Sequence, residues 1–346
     1  MSSLVLGIES SCDETAAAVV RDGREVLCNV VHSQNELHKR WRGVVPEVAS
    51  RSHTSRILPI VAQALEQAQV RPGQLAAVAV THRPGLIGCL LVGMAAAKSL
   101  SWLHGLPLVA VDHIQAHVHV AFMVEPALPL PAVNLVASGG HTALYLVHEP
   151  GRAERIGTTR DDAAGEALDK AAAILGLGYP GGPAIEAAAQ GGDPRAVRFP
   201  LPLRHAEHLD FSFSGVKTAL LYHLRGNALE RPMPALDAAQ VRDLAASYQH
   251  AVVTTLVGKL ARAVRAVGAR AVAIGGGVAR NQLLRRRIAE EPALRGVRVV
   301  FPPLDLCSDN GAMVAGLGTL LLAQGKVADL DLAAAATARR TAQEAS

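Results

Sequence analysis

The sequence is poor in several features that mark common protein classes. Aromatic residues make up 3% and charged residues 18% of the 346 positions, so its cores must be packed mainly from small aliphatic side chains. The cysteines lie far apart and form no CxxC pair. A zinc knuckle and a disulfide framework are therefore disfavoured, and a reducing cytoplasm fits this usage. The four cysteines are Cys12, Cys28, Cys89 and Cys307.

A long uninterrupted apolar run is also missing. The most apolar stretch, 86–103, contains Lys98 and several glycines, and it predicts a buried helix in preference to a membrane span. The opening residues MSSLVLGIESS lack the basic start and apolar block of a signal peptide. We therefore expect a soluble cytoplasmic chain. Its net charge of +4 is compatible with an anionic partner such as nucleic acid, and equally with an ordinary soluble protein.

The chain length favours two lobes, because a single core usually stops growing near about 250–300 residues. Prolines at 126, 129 and 131 mark a linker. The pattern before it predicts strands and helices in the order βββαβα, and a similar pattern restarts after it. The strands predicted before the linker are 4–9, 15–21, 25–31, 76–81 and 108–111. Those predicted after it are 132–137, 142–147, 152–158, 270–274 and 297–301.

This repetition predicts an α/β protein with an internal duplication and a ligand cleft between its lobes. We predict an N-terminal lobe over 1–130, a C-terminal lobe over 131–330, and a frayed tail over 331–346. The final helix, about 309–325, is free to pack back against the first lobe. The alternative is a single large α/β sheet with irregular insertions.

The stretch VDHIQAHVHV places His113 and His117 four residues apart on a predicted helix. That spacing puts both imidazoles on one face, close enough to share a metal ion. With fourteen histidines in the chain, chance alone can supply such a pair. A zinc protease is excluded, because HExxH needs a glutamate where this chain has Ile114. Asp309, at the start of the last predicted helix, is a natural N-cap and could also complete a two-histidine, one-carboxylate set.

Three glycine-rich turns follow predicted strands: SGGHT at 138–142, YPGGP at 179–183 and GGGVARN at 275–281. Glycine lets main-chain N–H groups approach a ligand, and a helix that follows favours anions. Each turn alone has an ordinary structural explanation, whereas three in one half of the chain favour a nucleotide site. GGGVARN is not GxGxxG, and GxxxxGK[ST] is absent, so neither a dinucleotide fold nor a P-loop is supported.

Two acidic groups are further candidates. In DDAAGEALDK, Asp162, Glu166 and Asp169 would align along one helix face, with Asp161 or Asp162 as an N-cap. They form either a solvated acidic face or a surface that holds an ammonium group or ribose hydroxyls. Asp13 and Glu14 lie in the turn SSCDET, where they either satisfy turn amides or act on a ligand that bears phosphate.

Several of these motifs together resemble one family. They occur in the expected order from about residue 4 to residue 330, and the chain resembles the bacterial tRNA N6-adenosine threonylcarbamoyltransferases. The resemblance implies an actin- and Hsp70-like (ASKHA) two-lobe fold. It also implies transfer of a threonylcarbamoyl group from threonylcarbamoyl-AMP to N6 of adenosine 37 in tRNAs that read ANN codons. The motifs are GIESSCDETAAAVV, GVVPEVASRSH, HIQAH, SGGHT, DDAAGEALDKAAAILGLGYPGGP, FSFSGVKT, GGGVARN and CSDNGAM.

The resemblance also implies roles for individual residues. His113, His117 and Asp309 match metal ligands, with iron the usual metal and zinc the alternative. Asp13 and Glu14 match acidic residues that matter for turnover. Positions that match the adenylate site are Val136, Ala137, Ser138, Gly139, Gly140, Asp169, Gly182, Glu186 and Asn281.

Relatives of this kind work with other proteins. The resemblance implies a dimerising paralogue without the metal site (TsaB-like), a small ATPase (TsaE-like) and a synthase that makes the adenylate (TsaC-like). One departure is Arg83, which stands where the family usually has glycine. Two other functions compete: a carbamoyltransferase of the same fold with a small-molecule acceptor, and a non-catalytic scaffold subunit. The scaffold hypothesis predicts loss of the metal ligands, which are present here.

Overall fold

The computed structural model describes residues 2–38, 41, 43–226 and 232–337. Backbone contacts divide the chain into two compact units. Unit 1 comprises Met1–Pro126 and the chain from Ser308 onward, and unit 2 comprises Ala127–Cys307. The predicted lobes end at 130 and 330, with the final helix free to pack back on the first lobe. The units divide at 126/127, and the chain from Ser308 onward belongs to unit 1.

Unit 1 is built on a mixed five-stranded sheet in the order β3-β2-β1-β4-β5. The first three strands form an antiparallel meander, and β4 and β5 then run parallel to β1. β1 is buried along most of its length because its sequence is almost wholly apolar, and it ends on a single carboxylate at Glu9. The strands are β1 Leu4–Glu9, β2 Glu14–Arg21, β3 Glu25–Ser33, β4 Ala77–Arg83 and β5 Leu108–Asp112.

The first stretch of unit 1, which ends at Pro126, contains four α-helices in its described part. They are α1 Asn35–His38, α2 Pro46–Ala68, α3 Ile87–His104 and α4 His113–Val124. The long helices α2 and α3 pack on each other and on the sheet. The core between them contains Ile57, Val61 and Met94.

Helix α3 is long and apolar enough to pass a test for a membrane span by length and composition, and a core helix of a folded domain passes the same test. One of its faces is buried, with Leu90 and Ala97 inaccessible to solvent. The other face is open, and Trp102 and Leu103 are 75% and 67% exposed. The predicted buried helix is therefore correct for one face only.

Unit 2 repeats the arrangement with a second five-stranded sheet. Its strands lie in the order β8-β7-β6-β9-β10. This is the order of the first sheet when β6 to β10 are matched to β1 to β5. Again three antiparallel strands are followed by two that run parallel to the first. The predicted α/β class with a duplicated unit is thereby confirmed. The strands are β6 Ala132–Ala137, β7 Thr142–Glu149, β8 Arg152–Thr158, β9 Ala271–Gly275 and β10 Arg298–Val300.

Unit 2 contains helices α5 Ala164–Ile174, α6 Gly181–Ala188, α7 Ser214–Arg225, α8 Ala238–Val267 and α9 Gln282–Glu290. The sequence pattern predicts helices over 163–175 and 235–267 and another after the GGG of 275–277, which correspond to α5, α8 and α9, but it predicts neither α6 nor α7. Helix α6 is short and begins with two glycines, which are poor helix formers, so its sequence resembles a turn. Its apolar contacts with α5 and α8 decide its conformation instead.

The last helix, α10 Gly311–Ala323, packs on β1, β2, β4 and α4 of unit 1. Two glycines allow this close approach. A Cβ at Gly7 would meet the carbonyl oxygen of Gly311, and a Cβ at Gly311 would meet main-chain atoms of Ala17 and Ala18. The start of α10 is therefore held directly against the β1–β2 hairpin.

Candidate metal centre and nucleotide-binding turns

The two histidines of HIQAH lie side by side at the start of α4. The Asp112 carboxylate caps this helix by accepting the N–H groups of Ile114 at 3.0 Å and Gln115 at 3.1 Å. The helix consequently begins at His113, and His117 follows one turn later. The two rings are perpendicular with centroids 4.7 Å apart, and both side chains are buried.

The side chain of Asp309, which belongs to the second stretch of unit 1, lies against these two histidines. Oδ1 of Asp309 lies 3.0 Å from Nε2 of His117 and 3.6 Å from Nε2 of His113. The prediction that Asp309 caps the last helix is wrong. Asn310 is the N-cap, and its side-chain oxygen accepts the N–H of Met313 at 2.9 Å. The Asp309 carboxylate therefore faces the histidines instead of the helix amides.

These three side chains fit a metal ion by chemistry and by placement. Their ligand atoms all lie within 4.8 Å of one another, and two imidazole nitrogens converge on one carboxylate oxygen. Two histidines and one carboxylate with further positions open suit iron or zinc that acts on a bound substrate. His113, His117 and Asp309 could thus hold one ion within unit 1.

A fourth residue, which the sequence reasoning did not single out, contacts this cluster. Oε2 of Glu9 lies 3.0 Å from Nδ1 of His113, and Glu9 is fully buried at the end of β1. Burial alone would lower the pKa of His113, but the carboxylates of Asp309 and Glu9 outweigh it and raise that pKa to about 9. A lone carboxylate inside the apolar strand LVLGIE was the available sequence signal.

Asp13 lies in the turn between β1 and β2, and Glu14 is the first residue of β2. Ser33 Oγ donates to Oε1 of Glu14 at 3.3 Å, and the main-chain oxygen of Asp13 accepts the N–H of Gln34. Burial raises the pKa of Glu14 well above its usual range, and the neighbouring carboxylates of Asp13 and Asp309 raise it further. Among the described residues, the Glu14 carboxyl accepts from the Ser33 hydroxyl and not from an N–H group of the turn.

A buried histidine of α2 fixes this turn. His53 contacts the carbonyl oxygen of Cys12 through Nε2 at 2.9 Å and the hydroxyl of Thr15 through Nδ1 at 2.7 Å. The two contacts flank Asp13 and Glu14 in the sequence. His53 belongs to the motif GVVPEVASRSH, and its contact with the turn was not predicted.

In unit 2, two of the glycine-rich turns lie at one edge of the sheet. β6 and β9 are parallel neighbours, so their carboxyl ends, Ala137 and Gly275, lie together. Gly276 has a φ of +82°, and a Cβ there would meet the carbonyl of Ala137. Val136 and Ala137 are buried in β6, whereas Gly139 and Gly140 are exposed beyond it. This is the edge at which α/β sheets bind ligands.

The remaining predicted adenylate positions are joined by hydrogen bonds. Oδ1 of Asp169 in α5 accepts the N–H of Gly181, next to Gly182, at 2.7 Å. Further along α6, Oε1 of Glu186 accepts the N–H of Gln282 at 2.6 Å. Asn281 caps α9 by accepting the N–H of Leu284 at 3.0 Å. The structure thus links α5, α6 and the start of α9.

The acidic face predicted for DDAAGEALDK is not a continuous one. Asp162 precedes α5, and Lys170 neutralises both it and Glu166 at 2.7 and 2.8 Å. Asp161 is not the N-cap of α5. It accepts the N–H groups of Phe213 and Ser214 and their neighbouring hydroxyls, and so holds the start of α7. Asp169 is the one of the three aligned carboxylates that reaches the glycine turn.

Comparison with known proteins gives one consistent match. A family model described as TsaD: tRNA N6-adenosine threonylcarbamoyltransferase matches residues 25–316. A tRNA N6-adenosine threonylcarbamoyltransferase of Symbiobacterium thermophilum is 52% identical over 332 residues, covering 95% of this chain and 94% of the relative. Its namesake in Anaeromyxobacter dehalogenans (strain 2CP-C) is 50% identical over 329 residues, covering 95% and 97%.

Solved structures agree on the fold. HypF of T. kodakarensis superposes with a TM-score of 0.62 at 16% identity, covering 93% of this chain and 48% of that protein. The activator of the 2-hydroxyisocaproyl-CoA dehydratase from Clostridium difficile gives 0.54 at 12% identity, covering 96% and 100%. At such identities the likeness concerns the fold alone. It agrees with the expected ASKHA type.

Proposed function

Because the chain belongs to the tRNA N6-adenosine threonylcarbamoyltransferase family, we propose that it transfers a threonylcarbamoyl group to N6 of adenosine 37 in tRNAs that read ANN codons. Threonylcarbamoyl-AMP is the proposed donor. The observation that carries this proposal beyond family membership is the set His113, His117 and Asp309, whose ligand atoms lie within 4.8 Å of one another. A non-catalytic scaffold has no use for such a set.

The adenylate is proposed to bind to unit 2. The exposed Gly139 and Gly140 offer main-chain N–H groups beyond the carboxyl edge of the sheet, whereas the N–H of Ser138 donates to the carbonyl of His141. Gly182 and Asn281 lie at the starts of two helices, where N–H groups favour phosphate. Glu186 already accepts one N–H of α9. Glu186 therefore fixes the start of α9 through this oxygen. Its second carboxylate oxygen is suited to accept a hydrogen bond from a hydroxyl of the ribose. Asp169 suits the ammonium group of the threonyl part or a hydroxyl.

In the proposed reaction, N6 of adenosine attacks the carbonyl carbon of the donor. A C–N bond forms, the C–O bond to phosphate breaks, AMP leaves with that electron pair, and N6 gives up one proton. A metal held by His113, His117 and Asp309 would polarise the carbonyl and stabilise the negative charge that develops on its oxygen. Iron is the proposed metal, with zinc as the alternative.

Asp13, with Glu14 beside it, is proposed to take up the proton. Proton acceptors work best when their pKa lies near the operating pH. Burial raises the pKa of Glu14, and the carboxylates of Asp13 and Asp309 raise it further. His53 would keep both carboxyls in place by holding the main chain on either side of them.

The basic segment 280–287, which runs into α9, is a proposed contact for tRNA phosphates, with one restriction. Nε of Arg285 donates to the carbonyl of Ala279 at 2.7 Å, and its guanidinium lies 4.7 Å from the centre of the Phe301 ring. Arg285 is thus engaged within unit 2. Arg286 is exposed, and Arg286 and Arg287 are better placed for phosphate.

The proposed activity involves other proteins. A metal-free paralogue (TsaB-like), a small ATPase (TsaE-like) and an adenylate synthase (TsaC-like) are proposed as partner proteins, and the cytoplasm as the compartment where tRNA and the adenylate meet.

Reconstitution tests substrate and reaction together. The chain, these partners, threonylcarbamoyl-AMP and an unmodified ANN-reading tRNA are combined, and the tRNA nucleosides are analysed by mass spectrometry. His117→Ala should abolish the threonylcarbamoyl mark on adenosine. His104→Ala, which changes an exposed histidine at the end of α3, is the matched control and should retain it. An undiminished yield with His117→Ala would refute the metal role.

Carbamoyl transfer to a small-molecule acceptor is the second candidate function, since the proposed metal site would polarise the carbonyl for either acceptor. The same assay decides between the two. Transfer to a hydroxylated metabolite in the absence of tRNA, with no mark on tRNA, would replace the main proposal.

A further inference from the structure

Glu9 is an unusual carboxylate for the interior of a protein. It is 0% exposed, and its ion pair among the described residues is with His113. No lysine or arginine in the described part of the chain forms an ion pair with Glu9. A buried carboxylate without a cationic partner costs several kcal/mol unless hydrogen bonds and a nearby positive charge compensate.

Three donors surround this carboxylate. The N–H of Ser11 donates to Oε1 at 2.6 Å, and the hydroxyl of Thr81 donates to Oε2 at 2.5 Å. Nδ1 of His113 lies 3.0 Å from the same Oε2 and 3.2 Å from Oγ of Ser11. The turn after β1, strand β4 and helix α4 each contribute one donor, so Glu9 has little room to turn away from the histidine.

The direction of the hydrogen bond fixes the tautomer of His113. A carboxylate accepts and cannot donate, so the proton of a neutral His113 stays on Nδ1. The lone pair is then on Nε2, the nitrogen that points to Asp309 at 3.6 Å. A histidine that ligates a metal through one nitrogen commonly donates from the other to a carboxylate, which raises its basicity.

From this geometry we infer that Glu9 is a positioning residue for the metal centre, which holds His113 in the tautomer and orientation that present Nε2 to the ion. The inference rests on the proposed metal site. Glu9 itself touches neither the ion nor the substrate. It also supplies a negative charge next to a site whose proposed occupant is a dication.

The competing explanation is that Glu9 only closes the turn after β1 by accepting the Ser11 N–H. Glu9→Gln separates the two roles. If the amide oxygen stays on Ser11 N–H, the amide N–H₂ faces Nδ1 of His113, and the histidine must accept there and carry its proton on Nε2. If the amide is reversed, its nitrogen faces the Ser11 N–H, and two donors meet. The variant therefore opposes metal binding while it preserves the size of the side chain.

The experiment measures zinc affinity of metal-stripped wild type, Glu9→Gln and Thr81→Val by competition with a fluorescent chelator. Thr81→Val is the matched control, since it removes a hydrogen bond from the same Oε2 but leaves the contact with His113. Glu9→Gln should bind zinc about 10- to 100-fold more weakly, and Thr81→Val should keep wild-type affinity. The visible spectrum of cobalt-loaded protein should change in Glu9→Gln alone, and melting curves of the stripped proteins verify that each is folded.

A folded Glu9→Gln that binds zinc as tightly as wild type overturns the role of Glu9. If His117→Ala loses zinc while Glu9→Gln keeps it, the metal centre stands and the inference about Glu9 falls. A wild type that binds no zinc or iron at one ion per chain overturns both. Should Glu9→Gln fail to fold, imidazole ¹⁵N–¹H spectra of zinc-loaded wild type decide: a proton on Nδ1 of His113 is expected, and a metal on Nδ1 refutes the inference.

Discussion

Oδ1 of Asp309 lies 3.0 Å from Nε2 of His117, although 192 positions separate the two residues in the chain. The approach depends on α10, which packs against the β1–β2 hairpin and against α4 of the same unit. The adjacent Asn310 caps α10, so these two neighbouring residues have separate roles. One holds the helix, and the other faces the histidines.

This division gives a prediction about neighbouring substitutions. Asn310→Ala should lower the free energy of unfolding by about 1 kcal/mol through loss of the N-cap, and zinc affinity should change little. Asp309→Ala should abolish tight zinc binding at little cost to the stability of the stripped protein. Urea unfolding and chelator competition measure the two quantities. Loss of zinc binding in both variants, or in neither, would contradict the separate roles.

Arg83 should stabilise the start of α4. Its Nε donates to Oδ2 of Asp112 at 3.1 Å, while Oδ1 of Asp112 caps the helix that carries both histidines. The pair is partly exposed, so Arg83→Met should cost only about 0.5–1 kcal/mol of unfolding free energy, and less in high salt. Asp112→Ala should cost more because it also removes the cap. No effect of Arg83→Met would show that the ion pair does not support the cap, and equal effects of the two changes would show that the cap adds nothing beyond the ion pair.

Asp161 should make unit 2 sensitive to acid. Burial would raise the pKa of Asp161, but hydrogen bonds from Ser212, Phe213 and Ser214 outweigh it and place the pKa below its ordinary value of 3.8. A group with a lowered folded pKa stabilises the protein above its unfolded pKa and loses that effect as pH falls through the folded value. Asp161→Asn should therefore be less stable than wild type at pH 7, and the difference should shrink below about pH 4. Urea unfolding from pH 7 to pH 3 measures it, and a difference independent of pH would refute the cause.

Two glycine-to-alanine changes should have opposite signs. Gly258 lies exposed inside α8 with open space around its Cα, so Gly258→Ala should stabilise the protein by about 0.5–1 kcal/mol through helix propensity. Gly311→Ala would press a methyl group against the main chain of Ala17 and Ala18, and it should destabilise by about 1–3 kcal/mol. Thermal unfolding of both variants provides the comparison. A stabilising Gly311→Ala would contradict the close packing of α10.

Substitutions of different arginines in α9 should affect tRNA binding and protein stability separately. Arg286→Glu with Arg287→Glu should weaken tRNA binding and flatten its dependence on salt by about one unit of slope for each phosphate that the variant no longer neutralises. Arg285→Ala should instead destabilise unit 2, because Arg285 contacts Ala279 and Phe301. Filter binding across a salt series, with melting curves beside it, tests both statements. An unchanged salt slope in the double variant would remove α9 from the RNA surface.

Local pattern was sufficient for most of the fold. Alternation and apolar runs predicted all ten strands, because a residue's burial in a sheet follows from the period of the pattern. It did not predict α6 or α7. Two glycines open α6, and apolar contacts with α5 and α8 fix it, which a local pattern does not contain.

The candidate site divides in the same way. Spacing predicted that His113 and His117 share one helix face, because that depends on the helical repeat alone. The glycine turns at 138–140 and 276 were also visible as sequence, and parallel pairing of β6 with β9 brings them to one sheet edge.

The sequence by itself determined the α/β class, the repeated strand pattern, the histidine pair and, through its motifs, the family. Only the tertiary structure decided that Asp309 faces the histidines while Asn310 caps the helix, that Lys170 neutralises Asp162 and Glu166, and that Glu9 hydrogen-bonds His113. Each of these depends on side-chain direction and on which distant segments pack together. Local periodicity carries information about neither.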